Sequence, residues 1–269
     1  MEGSSLSSLK PVKELPFGVY SPNRELVEFI VELRNVPGAI AGVSEELAKH
    51  KVNILSGLHS ARPREPKAAW SFFADFTGAN LRPDEAAETL KKLPSVSRVR
   101  LVKAKFDGLI IDDEHFPLLV FDERSLTLRV ETMAKMFARL REVLGAPANV
   151  LIYEMGVKAG EAKAESLSQK YGVKGREALE IVLAERVAKG WAAPKIIRYD
   201  EEKFLVEIEA EGLFECFPFK GKLKEPNGLF FKGYLTGALT VLLGEKPVVA
   251  EARCVAKGDP ICAFIAKRG

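Results

Sequence analysis

Three cysteines, Cys216, Cys254 and Cys262, carry the most chemical potential in the chain, and all stand downstream of residue 215. An odd number this small builds no disulfide framework, so metal ligation, packing or thiol reactivity must account for them. The three histidines, His50, His59 and His115, lie far upstream and lack a clear nucleophile partner. His115 closes Asp112-Asp113-Glu114-His115, which reads as an exposed turn, and Gly258-Asp259-Pro260 reads as a turn rather than a catalytic acid. No Gly-rich nucleotide loop follows a strand, and no ligand set for an iron–sulfur cluster is present. The residues therefore offer no catalytic set, and the expectation is a protein that is not an enzyme.

The elements that position these residues must come from a chain of 269 residues, comfortable for two domains. Apolar residues make up 47% and charged residues 29%, which excludes a disordered chain. Forty Lys and Arg against 37 Asp and Glu give a net charge of +3 with both signs interspersed, so direct nucleic-acid binding is not expected. The first residues lack a secretory pattern, and no stretch approaches the about 18 apolar residues of a membrane span. A cytoplasmic location follows as the expectation. Gln169 is the single glutamine, and Glu, Lys and Arg abound, the compositional tilt of a thermophile protein.

Residues 1–25, rich in Ser, Pro and Lys, read as a mobile tail or edge extension. Val27, Phe29, Val31 and Leu33 alternate with Glu28 and Glu32 as a half-buried strand. Asn35-Val36-Pro37-Gly38 breaks it and opens a helix with Ile40, Val43 and Leu47 on one face, ending near Lys49-His50-Lys51. A strand from Val52, a turn over Ala61 to Lys67, a strand over Ala69 to Phe76, a helix from Pro83 through Leu90 and a strand over Val96 to Val102 complete a βαββαβ order. The segments Leu33-Arg34-Asn35-Val36-Pro37-Gly38-Ala39-Ile40 and Leu47-Ala48-Lys49-His50-Lys51-Val52-Asn53-Ile54 resemble an ACT domain. The resemblance implies a ferredoxin-like module over residues 26–105, pairing with a second copy and holding an amino acid under the loop before the first helix. Asn35, Gly38, Ala39 and Ile40 would make the contacts, with Asn53 nearby. Free N–H groups at a helix start suit a carboxylate, and Gly38 permits close approach. A dimerisation scaffold without ligand is the alternative.

Beyond residue 105, Gly108 to Ile111 and Pro117 to Phe121 read as a hairpin joining the domains. Leu126, Val130, Met133, Phe137, Leu140 and Leu144 form the buried stripe of a helix ending at Gly145. A short strand is expected over Val150 to Tyr153, helices over Lys163 to Lys170 and Glu177 to Lys189, strands over Lys195 to Tyr199 and Phe204 to Phe219, and a helix from Leu229. The segments Gly233-Tyr234-Leu235-Thr236-Gly237, Glu251-Ala252-Arg253-Cys254 and Gly258-Asp259-Pro260-Ile261-Cys262-Ala263-Phe264 resemble the 4-vinyl reductase domain. The likeness extends through Gly156, Gly160, Gly190 and Trp191, so residues 106–269 are assigned to it. It implies a mixed α/β ligand-binding domain, related in fold to trafficking-complex subunits, with an apolar pocket for a small hydrophobic or aromatic molecule, as in phenol-responsive sensors. The fold class expected overall is α+β, and the pairing of modules resembles an archaeal-type regulatory protein.

The same resemblance implies a zinc ion held by Glu251, Cys254 and Cys262, thiolate and carboxylate being suited to zinc. The family often places a further cysteine at the position of Gly228, which this chain lacks. Cys216, from a neighbouring strand, or water would fill the fourth place. Packing of the thiols as small buried hydrophobes remains an alternative, and a Cys254–Cys262 disulfide is a minor third. Glu215, the nearest candidate for a general base, shows no reason in the sequence for a raised pKa.

The function expected is a small-molecule sensor or regulatory protein, homodimeric, acting on transcription through a partner. Reduction of a vinyl group on a tetrapyrrole precursor is the alternative, weakened by the missing hydride or electron source. A winged-helix reading of residues 177–204 is set aside, because that segment belongs to the Trp191-centred likeness and its charge is mixed.

Overall fold

The computed structural model describes residues 11–269, which form two compact units, one within Met1–Ser125 and the other Leu126–Gly269. Of the tail expected over 1–25, residues 1–10 lie outside the described residues, and Gly18–Tyr20 forms strand β1. The fold is α+β throughout.

In the first unit β2 (Leu26–Arg34), α1 (Ala39–Lys49), β3 (Asn53–Ala61), β4 (Lys67–Asp75), α2 (Pro83–Leu90) and β5 (Val96–Lys103) follow the expected βαββαβ order. The antiparallel sheet runs β3-β4-β2-β5. Period-two alternation places Val27, Phe29, Val31 and Leu33 of β2 against Val43 and Leu47 of α1 and Leu90 of α2, all nearly solvent-free. Pro83 stands in the first turn of α2, and Glu85 accepts from the Arg82 backbone N–H at 2.9 Å, which fixes where that helix starts.

Alternation also sends Leu26 and Glu28 to the other face of β2. There β6 (Leu109–Ile111) pairs with β1, and Leu26, Phe73 and Ile110 make a small second core. The hairpin expected between residues 108–111 and 117–121 does not form. Leu109–Ile111 finds its partner in Gly18–Tyr20, while β7 (Leu119–Val120) pairs with β8 (Glu123–Arg124). Strand-length apolar runs name a strand without naming its partner, and burial of Ile110 beside Leu26 decides the pairing.

The second unit contains α3 (Val130–Leu144), α4 (Pro147–Tyr171), α5 (Gly175–Ala188), β9 (Ala193–Asp200), β10 (Leu205–Glu211), α6 (Leu229–Leu243), β11 (Pro247–Arg253) and β12 (Cys262–Arg268). Its antiparallel sheet runs β11-β12-β10-β9. Two expectations fail here. Val150 to Tyr153 is no strand but part of α4, since a run of four apolar residues cannot separate a strand from a buried helical turn. The strand expected to Phe219 stops at Glu211, where Gly212 takes φ 65° and the chain turns into a 3-10 turn at Phe217–Phe219. Leu126 is exposed rather than part of the α3 stripe, and Phe137 is the buried anchor of that helix.

Helices α4 and α6 touch backbone to backbone. A Cβ built on Gly156 or Gly160 would lie 2.1 Å from the carbonyl oxygens of Phe230 and Tyr234, and one on Gly233 or Gly237 would lie 2.1 or 2.0 Å from those of Tyr153 and Val157. Glycine at the four positions is what lets the helices approach this closely. This contact and the sheet together frame the residues that carry chemistry.

Candidate metal centre and ligand sites

Cys216 stands in the helical turn after β10, its N–H donating to Leu213 O at 3.0 Å, and so comes from a turn rather than from the neighbouring strand expected. Glu251 lies on β11 where the register against β12 shifts between Glu251 and Arg253. Cys254 follows the end of β11, and Cys262 opens β12 opposite Ala210. A 3-10 turn at Val255–Lys257, closed by Gly258 at φ 105°, returns the chain so that both cysteines face one point. Asp259 accepts the Cys254 backbone N–H at 2.8 Å, and is therefore the brace of this turn.

One ligand atom from each of Cys216, Glu251, Cys254 and Cys262 lies within 4.8 Å of all the others. Cys254 Sγ is 3.6 Å from Cys216 Sγ, and Glu251 Oε1 is 3.8 Å from Cys216 Sγ. Zinc–sulfur bonds of about 2.3 Å in a tetrahedron separate two sulfurs by about 3.8 Å, so the donor set fits a four-coordinate ion. The three cysteines are free thiols, fully buried, and no disulfide joins them. Backbone N–H groups of Asn227 and Val255 point at Cys254 Sγ and Cys262 Sγ, each at 3.4 Å. Contacts from the Cys216 and then the Cys262 thiol hold Cys254 well below the usual thiol range, while contacts from Cys254 and then Cys262, and after them burial, push Cys216 up.

Gly228 also finds its reason. Its N–H donates to Glu251 Oε2 at 2.9 Å, and a Cβ there would lie 2.8 Å from the same carboxylate. A side chain at residue 228 would crowd the Glu251 carboxylate, against which the Cys216 sulfur lies at 3.8 Å. Burial, and next the Cys254 contact, push the Glu251 carboxyl up to about 9. Glu215 corrects the sequence reading: it is 1% exposed, and burial pushes its carboxyl up to about 8 against the opposing N–H donors of Phe231 and Phe230. Those donors, at 2.7 and 3.0 Å, belong to the first turn of α6, so Glu215 caps that helix beside the cysteines.

The first-unit residues are placed differently. Gly38 precedes α1 at φ 84° with open space where a Cβ would stand, no side chain caps the helix, and its first turn holds no acidic residue. Ala39 is buried and Ile40 packs on the core of the unit. The Asn35 side-chain amide donates to Arg62 O at 3.1 Å and Glu65 O at 2.8 Å, tying the loop to the turn between β3 and β4. Asn53 lines an open pocket of about 610 Å³ with Tyr20, Arg24, Leu55 and Asp75, and none of Asn35, Gly38, Ala39 and Ile40 lines it.

A third arrangement was marked in the sequence by Trp191 and Tyr234. The indole packs edge-on against Phe214, Phe230 and Tyr234 at centroid distances of 5.7, 5.6 and 5.3 Å. Arg186 lies over Trp191 at 4.3 Å and over Tyr234 at 4.8 Å. Both Arg186 and Tyr234 are almost fully buried, yet Arg186 Nε and the Tyr234 hydroxyl have no hydrogen-bond partner among the described residues. Sequence reasoning missed Arg186, whose place in the last turn of α5 makes it look like an ordinary helix-end cation.

Residues 27–95 match the family model of the ACT domain. Among solved structures, the phenol-responsive sensory domain of the transcription activator PoxR, with phenol, is 20% identical with a TM-score of 0.48, over 56% of this chain and 79% of that one. A vinyl-4-reductase family protein from Methanocaldococcus jannaschii is 18% identical with a TM-score of 0.37, over 54% and 84%. A trafficking protein particle complex subunit 3 from Naegleria fowleri, covalently bound to palmitic acid, is 15% identical with a TM-score of 0.38, over 51% and 93%. No curated protein matches the chain. Among the described residues no helix is long and apolar enough to cross a membrane.

Proposed function

We propose, on the premise that residues 27–95 are an ACT domain, that the chain is a small-molecule sensor without catalytic activity of its own. The observation that carries this reading is the start of α1. A left-handed glycine, an uncapped helix end and a first turn free of acidic residues leave backbone N–H groups for the carboxylate of an amino acid. Strand β3 is a nine-residue sheet edge with Leu55 and Leu58 exposed, and pairing of two copies along it would cover that edge in a homodimer.

The second unit takes a small aromatic or hydrophobic ligand beside Trp191, and a zinc ion at Cys216, Glu251, Cys254 and Cys262. The four residues hold the ion as a structural link between β11, β12 and the turn after β10; bound there, it supplies stability rather than a reactive water, since the donors close the site. The sensor acts on transcription through a protein partner from the cytoplasm, and zinc content is the part most readily measured.

A thermal-shift panel of the common amino acids tests the first site. One of them should raise the melting temperature, and Gly38→Val should erase the shift by filling the approach to α1.

For the second site, the orphaned Tyr234 hydroxyl makes a two-sided prediction. A buried hydroxyl without a partner costs about 1–3 kcal/mol, so Tyr234→Phe should stabilise the ligand-free chain by about 1 kcal/mol. The same change should weaken phenol binding about tenfold by removing its hydrogen-bond partner. Denaturant melts and quenching of tryptophan fluorescence by phenol read the two effects. If Tyr234→Phe binds phenol as the wild type does, the ligand does not sit beside Trp191.

A further inference from the structure

Alternation in β2 should leave residue 28 on the sheet face away from α1 and α2, and the residue there is a glutamate with a side chain wholly without exposure. A carboxylate in such a place demands compensation, because burying an unpaired charge is among the costliest things a fold can do. Ser71 on the adjacent β4 donates to Glu28 Oε1 at 2.5 Å, while Oε2 has no partner among the described residues. The nearby cation Arg100 is engaged by Glu114 at 2.5 Å.

The segment that crosses this face after β6 delivers two more ligands. Asp112 Oδ1 accepts the backbone N–H groups of Glu114 and His115, each at 3.1 Å, and these bonds fix the turn. The turn puts His115 Nδ1 2.9 Å from Asp112 Oδ2 and 3.8 Å from Glu28 Oε1. One atom from each of Glu28, Asp112 and His115 lies within 4.8 Å of the others. Four-coordinate zinc with bonds of about 2.1 Å to nitrogen and oxygen sets its ligands about 3.4 Å apart, between the two distances observed. Exposure rises from 0% at Glu28 through 17% at Asp112 to 45% at His115, so the group has a buried floor and an open mouth.

We infer that Glu28, Asp112 and His115 form a second metal site, distinct from the cysteine cluster, for a divalent first-row transition ion of the zinc type. The imidazole and carboxylates suit such an ion, and the mouth at His115 leaves a coordination position for water. The ion takes the place of the direct contact between Nδ1 and Asp112, and its charge compensates the buried Glu28. Because the ligands come from β2 and from the turn after β6, the metal ties that turn onto the sheet.

Calorimetric titration of zinc chloride into the full chain tests the site. The wild type should show a binding event of one ion per chain that persists in Cys254→Ser. Glu28→Gln and Asp112→Asn should each weaken it at least tenfold. Both are near-isosteric, and Asp112→Asn keeps the carbonyl that caps the turn, so a folded variant is available even if one of them fails. Glu28 exposes no atom, so a merely superficial ion at His115 would not respond to its replacement. The inference is overturned if zinc gives no event beyond the one lost with Cys254→Ser, or if the remaining event is as strong in a folded Glu28→Gln or Asp112→Asn chain.

Discussion

Cys254→Ser should leave the protein with little zinc at the cysteine cluster and lower the melting temperature of its second unit by roughly 10 °C or more. Cys254 is central because its sulfur contacts Cys216 Sγ and receives the Asn227 N–H, while its own backbone N–H is braced by Asp259. A structural zinc contributes on the order of 10 kcal/mol of apparent binding free energy, far above the about 1–3 kcal/mol that an unsatisfied buried hydroxyl would cost by itself. The two causes separate by chelation. If zinc is bound at the cysteines, a strong chelator lowers the melting temperature of the wild-type second unit toward that of Cys254→Ser and leaves the second unit of the variant unchanged. If the thiols are packing residues, elemental analysis finds no more zinc in wild type purified without chelator than in Cys254→Ser, and the chelator shifts the second unit of neither protein.

A single methyl group between α4 and α6 should also be strongly destabilising. Gly237→Ala puts a Cβ 2.0 Å from Val157 O and 2.9 Å from the Glu161 backbone nitrogen. Backbone atoms of a packed helix cannot rotate away as a side-chain end can, so the helices must separate along their whole contact. Overpacking of this kind lies at the upper end of the usual range, about 3 kcal/mol. Gly42→Ala within α1 is the opposite case, since nothing lies within 4 Å of its added Cβ. It should gain about 0.5–1 kcal/mol through helix propensity alone. Denaturant melts that rank the two variants in the reverse order would contradict the backbone contact between the helices.

The contrast between these glycines shows how far the sequence could be read. The ACT module was legible because its strands alternate cleanly and its helices carry local start signals, Pro37-Gly38 and Pro83 with Glu85. Val150 to Tyr153 misled because its apolar run says nothing of period, and the evidence for a helix lies in Gly156 and Gly160 meeting a helix far along the chain. Cys254 and Cys262 were legible as a pair by motif. Their meeting with Cys216 depends on the turn after Gly212, which no periodicity announces. Glu28 and Arg186 were opaque for a further reason. Each carries a charge where a sequence reader assigns solvent, and only the neighbouring segments, residues 109–115 in one case and the Trp191 cluster in the other, reveal the burial.

Calorimetric titration of the common amino acids into the full chain tests the sensor reading most directly. One amino acid should give a saturable heat, one molecule per chain, absent in Gly38→Val. If none of the common amino acids gives heat at millimolar concentration with the folded wild type, or if the heat survives in folded Gly38→Val, the start of α1 is not an amino-acid site and the first unit is a dimerisation scaffold.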